Sequence, residues 1–84
     1  MSNIPTRKEN PDGLHKRYIV KKRNRSPINP KAEYFVLRVD VYGSDIDYVN
    51  ACRKAVMAYA DAIEKHIPKL AAELRERYSQ QLPF

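Results

Sequence analysis

The stretch from Ser44 to Ile67, SDIDYVNACRKAVMAYADAIEKHI, constrains this chain more than any other. At the angular step of a helix, Ile46, Val49, Val56, Ala60, Ile63 and Ile67 fall on one stripe. Tyr48, Cys52, Ala55, Tyr59, Ala62 and His66 form a second stripe beside it. Together they span roughly 200° of circumference, about twice what a surface helix needs to bury. The spacing therefore predicts a long amphipathic helix that must be covered from more than one side. Ser44 is the expected N-cap, with Asp47 three residues on, and Asp45 and Asp47 put negative charge where the helix dipole favours it.

The rest of the chain supplies little cover. Tyr18, Ile19 and Val20 make 17–23 a short strand by composition. The nine-residue segment Asn24–Ala32, with Pro27 and Pro30, reads as a loop. In 33–42, EYFVLRVDVY, Phe35, Leu37, Val39 and Val41 alternate with Tyr34, Val36, Arg38 and Asp40, the pattern of a strand with one face inward. Gly43 opens the turn into the helix. Pro68 disfavours helical geometry at Ile67 and is itself suited to a first helical position, so a second helix is expected from Pro68 to about Tyr78. A single helix kinked at Pro68 is the alternative. The fold class read from the sequence is α+β, a two-stranded antiparallel hairpin on one long and one short helix (ββαα). A single domain over 15–80 is expected between tails at 1–14 and 81–84. Two strands and a short helix hardly shield so wide an arc, so the second stripe, the sheet edges, or both are expected to meet another subunit in a homo-oligomer.

Charge is distributed unevenly. The net charge is +6, but residues 1–38 hold ten of the sixteen Lys and Arg against three acids. Such asymmetry points to an anionic partner for the N-terminal part. Lys16–Arg25, KRYIVKKRNR, carries six basic residues and no acid. Lys21, Lys22, Arg23 and Arg25 are candidate phosphate ligands, with Tyr18, Tyr34 and Tyr59 as faces on which a base could stack. A solvated edge strand is the plain alternative. Arg53 interrupts the main stripe, where the spacing asks for an apolar side chain. Either it snorkels outward or pairs with Asp40 or Glu64, or it binds an anion at an interface pocket, where Arg38 could join it from another subunit.

Enzyme chemistry finds no support. There is no Gly-rich phosphate loop, no histidine pair at metal spacing, and only one cysteine. No catalytic residue, metal or cofactor is assigned. Cys52, alone and mid-helix, reads as a small buried hydrophobe in a reducing compartment. No apolar run reaches membrane-spanning length, and the N-terminus has no signal-peptide core, so a cytoplasmic location without membrane partners is expected.

Taken together, RYIVKK, EYFVLRVD, ACRKAVMAYADAI and PKLAAELRERY resemble a group of short proteins encoded in bacteriophage and prophage genomes, over residues 17–78. The resemblance brings no assigned site residues. It implies an accessory protein of the infected host cell that interferes with host processes, including immunity, by binding a host protein or capturing a signal molecule. The expectation is an oligomeric, non-enzymatic anti-defence protein that holds a phosphate-bearing ligand, such as a nucleotide signal, in basic pockets. The alternatives are sequence-tolerant nucleic-acid binding through the basic hairpin and direct inhibition of an acidic host protein.

Overall fold

A computed structural model describes residues 4–82. Their regular structure is two helices, α1 over Ile46–Ile63 and α2 over Pro68–Tyr78. The cap of α1 is Asp45 rather than Ser44. Its backbone is extended, and its carboxylate accepts the Tyr48 N–H at 3.0 Å, the bond a Ser44 cap would have made one residue earlier. The helix also ends sooner than its periodicity suggests. The N–H groups of His66 and Ile67 both close on the carbonyl of Ile63, at 2.9 and 2.8 Å, and wind the chain into a turn. Ile67 then adopts the non-helical backbone that a following proline demands, and Pro68 opens α2 as its first residue. The two helices are thus separate rods, not one kinked rod.

The chain forms two compact units, one ending at Val36 and the other beginning at Leu37. In the second, α1 packs on α2. Val49, Cys52 and Ala60 of α1 and Ala71 of α2 are buried, and Arg53 is buried among them. Gly43 lets the chain run close over Val49, since a Cβ there would sit 3.3 Å from Val49 Cγ2. At the end of α1 that leads into α2, Arg75 of α2 donates to Asp61 at 2.7 Å and to Glu64 at 2.6 Å, and these bonds raise its pKa above the ordinary arginine value. Of the residues expected to line the core, Val49, Cys52 and Ala60 do so, while Tyr48, Tyr59 and Ile67 stay exposed.

The expected α+β architecture is not found. Among the described residues there is no strand, so there is no hairpin and no sheet edge for a partner to extend. Ile19 is 87% exposed and Phe35, assigned to the inward face, is 75% exposed. Val41 is likewise exposed. The reason is physical: β-propensity records how well a residue suits a pleated, half-buried surface, and an isolated two-stranded ribbon gains too little to hold. The chain spends its polar groups otherwise. The Val39 carbonyl accepts from Arg53, and Asp40 accepts the Tyr42 N–H at 3.2 Å, which bends the segment at Asp40 and Val41.

The first unit is built from turns. Thr6 and Glu9 bond reciprocally, as in a helix capping box, around a turn that no helix continues. The bond from Thr6 holds the Glu9 carboxyl below its usual range. Lys16 N–H meets the Pro5 carbonyl at 2.9 Å in a single bridge, and His15 Nδ1 lies 2.9 Å from the carbonyls of Asn10 and Gly13. No described residue of this unit is buried. The outer ends of the expected tails, residues 1–3 and 83–84, lie outside the described residues.

Candidate anion-binding turn

The basic run converges on one turn of the first unit. The Arg25 N–H closes on the Lys22 carbonyl at 3.0 Å, which places Arg23 and Asn24 at the corner. Arg25 takes a left-handed backbone, φ 62°, unusual for a side chain of its size. Asn24 pins the chain on the far side of this corner: its Oδ1 accepts from Ser26 N–H at 3.0 Å and from Ser26 Oγ at 2.7 Å. The result crowds Lys21, Lys22, Arg23 and Arg25 onto five residues, all exposed. Lys22, Arg23 and Asn24 border an open depression of about 590 Å³. Tyr18, three residues before Lys21 in the chain, and Tyr34 are each about half exposed.

The division of charge matches the division of the chain. The unit up to Val36 contains nine of the sixteen basic residues and three acids, whereas the unit from Leu37 has seven of each sign. All of the net charge therefore belongs to a segment with no buried core. Chain entropy opposes the order of such a segment, and the hydrogen bonds of its turns and of the Lys16–Pro5 bridge offset it. An anion that draws several of these cations together would add to that order.

The other candidate residues belong to the second unit and have different surroundings. Arg53 is 6% exposed, and its guanidinium is committed to backbone. Its Nε donates to the Val39 carbonyl at 3.0 Å, its Nη1 to the Gln80 carbonyl at 2.9 Å, and the Tyr78 ring lies 5.6 Å from its Cζ. The acids that looked like its partners serve other arginines. Asp40 binds Arg38, with Nε to Oδ1 at 2.7 Å and Nη2 to Oδ2 at 3.3 Å, and Glu64 binds Arg75. Arg38 holds the Asp40 carboxyl below the ordinary aspartate range. Tyr59 is 48% exposed on α1. Arg53 and Arg38 are thus engaged within the fold, and the candidate cations that lie together are those of the turn Lys21–Arg25.

Sequence reasoning missed Asn50. Its side-chain amide holds the backbone of Leu82 from both sides, and with Arg53 it ties the segment after α2 to α1. The one signal in the sequence was a polar residue one helical turn before Arg53.

Among the described residues, no group of three or more metal-ligating side chains forms, and no helix is long and apolar enough to cross a membrane. No family model, curated protein or solved structure matches the chain.

Proposed function

We propose that the chain is a non-enzymatic binder of phosphate-bearing polyanions and that single-stranded nucleic acid is its ligand, held by the turn Lys21–Arg25. The observation that carries this reading is the crowding of four exposed cations on one fixed turn in a unit that holds all of the net charge. Phosphate contacts from such a cluster are independent of sequence and sensitive to salt. Tyr18 and Tyr34 offer stacking faces for unpaired bases. The described residues of this unit contain no helix or two-stranded ribbon to enter a major groove, which favours single strands over duplex readout. Enclosure of a small nucleotide signal draws less support, because Arg53 is buried and engaged with carbonyls. The anti-defence setting, in the cytoplasm of an infected cell, rests on the phage-protein resemblance alone.

Fluorescence anisotropy with a labelled single-stranded oligonucleotide tests the reading. Four phosphate contacts give a log–log salt slope of about −3. K21E/K22E/R23E should abolish binding while leaving the circular dichroism of α1 and α2 unchanged. Absence of binding at low salt, or an undiminished affinity in the triple variant, would refute it. Heat evolved against cyclic dinucleotides without binding to the oligonucleotide would transfer the proposal to nucleotide capture.

A further inference from the structure

The second stripe of α1 is left partly exposed by the fold. Tyr48 is 39% and Tyr59 48% exposed, Ala51, Ala55, Ala58, Ala62 and His66 are exposed, and only Cys52 of the stripe is buried. Within α1, Tyr48, Ala55, Tyr59 and Ala62 are the exposed members of that stripe, spaced by seven, four and three residues, a spacing that suits a paired helix.

From the size and charge pattern of this face we infer that α1 pairs with α1 of a second copy of the chain, antiparallel, about a two-fold axis at Ala55. The inference stands independently of the polyanion reading. In this arrangement, residues at equal heights have numbers adding to 110. Tyr48 then lies across from Ala62 of the second copy, Tyr59 across from Ala51, and Ala55 on its own twin. Each large ring meets a small side chain: Tyr59 packs against Ala51 and Ala55 of the other copy, both exposed. Parallel pairing would instead stack Tyr48 on Tyr48 and Tyr59 on Tyr59. Charge selects the same direction. The antiparallel pair brings the first turn of α1, with Asp47, to the end of the other copy's α1, where Lys65 follows in the turn, twice by symmetry. Parallel pairing would leave the acidic starts of both helices together.

The face from Tyr48 to Ala62 is about 21 Å long. A single helix pair of that length buries about 1,000 Å², the low end for a specific interface, so a concentration-dependent dimer with micromolar dissociation is expected. Lys54 flanks the axis and meets its own copy there, which also keeps the association weak.

Sedimentation velocity from micromolar to millimolar protein should show a monomer–dimer equilibrium. A55E, which places two carboxylates against each other on the axis but keeps a good helix former, should raise the dissociation constant at least tenfold with helicity unchanged. D47K and K65E should each weaken the homodimer several-fold, and an equimolar mixture of the two should associate at least tenfold more tightly than either alone. A protein that stays monomeric throughout, or an A55E variant that dimerises as the parent does, would overturn the proposal. A mixture no tighter than its components would overturn the antiparallel register.

Discussion

The Asn50 side chain pairs with the backbone of Leu82 on both sides, its Oδ1 accepting the Leu82 N–H at 2.8 Å and its Nδ2 donating to the Leu82 carbonyl at 3.3 Å. A carboxamide copies the donor and acceptor of a peptide group, so it can dock an extended segment as a neighbouring strand would. N50A removes both bonds and should destabilise the second unit by about 1 kcal/mol. Hydrogen exchange at the Leu82 amide should accelerate at least tenfold by mass spectrometry or NMR, while exchange in the middle of α1 changes far less. Equal acceleration at both places would show that Asn50 supports the whole helix pair instead.

Arg53 makes the larger contribution. R53A leaves the carbonyls of Val39 and Gln80 without their donor and empties a buried site, at a cost of about 3 kcal/mol. R53K should recover only part of this, since an ammonium is a single point and lacks the planar fork that reaches two carbonyls. Urea unfolding followed by circular dichroism measures both. A loss below 0.5 kcal/mol (roughly the effect of an ordinary surface change) in R53A would contradict the bonding described.

Acid should act on the Arg38–Asp40 pair at lower pH than on an isolated aspartate. The guanidinium, chiefly through its hydrogen bond, holds the Asp40 carboxyl below the ordinary value of about 3.9. A depressed folded value means that the pair's contribution is complete above the unfolded value and disappears as pH falls through the folded one. In a carboxyl-carbon NMR titration the Asp40 midpoint should fall below those of unpaired aspartates, and R38A should return it to the ordinary range. An unchanged midpoint in R38A would assign the shift to the Tyr42 N–H instead.

The Cys52 thiol is 3% exposed, so reagents reach it only when the second unit opens. Its modification by a thiol-specific reagent should be at least about 100-fold slower than in urea-unfolded protein. R53A should narrow that gap in proportion to its loss of stability. Fast modification of the native chain would place Cys52 at the surface.

Amides of the first unit should behave oppositely. With no described residue buried between Ile4 and Val36, their exchange should approach that of an unfolded chain except at amides that donate within the turns and the bridge, Lys16 and Arg25 among them. Saturation with an oligonucleotide should slow exchange across Lys21–Arg25. If it does not, the turn is not where the ligand sits.

The features legible in the sequence and those hidden from it differ in range. The periodicity of α1 and the restart at Pro68 are local matters, set by side-chain spacing and by the geometry of one proline, and the structure agrees with them to within a few residues. The strands failed because pairing is non-local: alternation in 33–42 says which residues would face inward if a partner strand were present, and none is present among the described residues. Arg53 announced itself as a charge on an apolar stripe, yet its partners are carbonyls, which every residue owns and which leave no mark in a sequence. Asp40 and Glu64 looked eligible because carboxylates are visible; each was already taken by another arginine. The basic turn was visible as composition, and its shape depends on the Asn24–Ser26 bonds and the left-handed backbone at Arg25.

Apart from Val49 and Arg53, the interior of the second unit is made from residues that have almost nothing to lose. Ala60 and Ala71 are fully enclosed, and the neighbouring Cys52 is scarcely larger. Most domains are crippled when an interior side chain is pruned, because a void opens; here growth is the hazard, since one added branch at Ala60 or Ala71 wedges the rods apart. Variation in this chain should therefore be most restricted at its smallest residues, and an engineer seeking a sturdier version would do better to shorten or stiffen the irregular segments than to fill the middle.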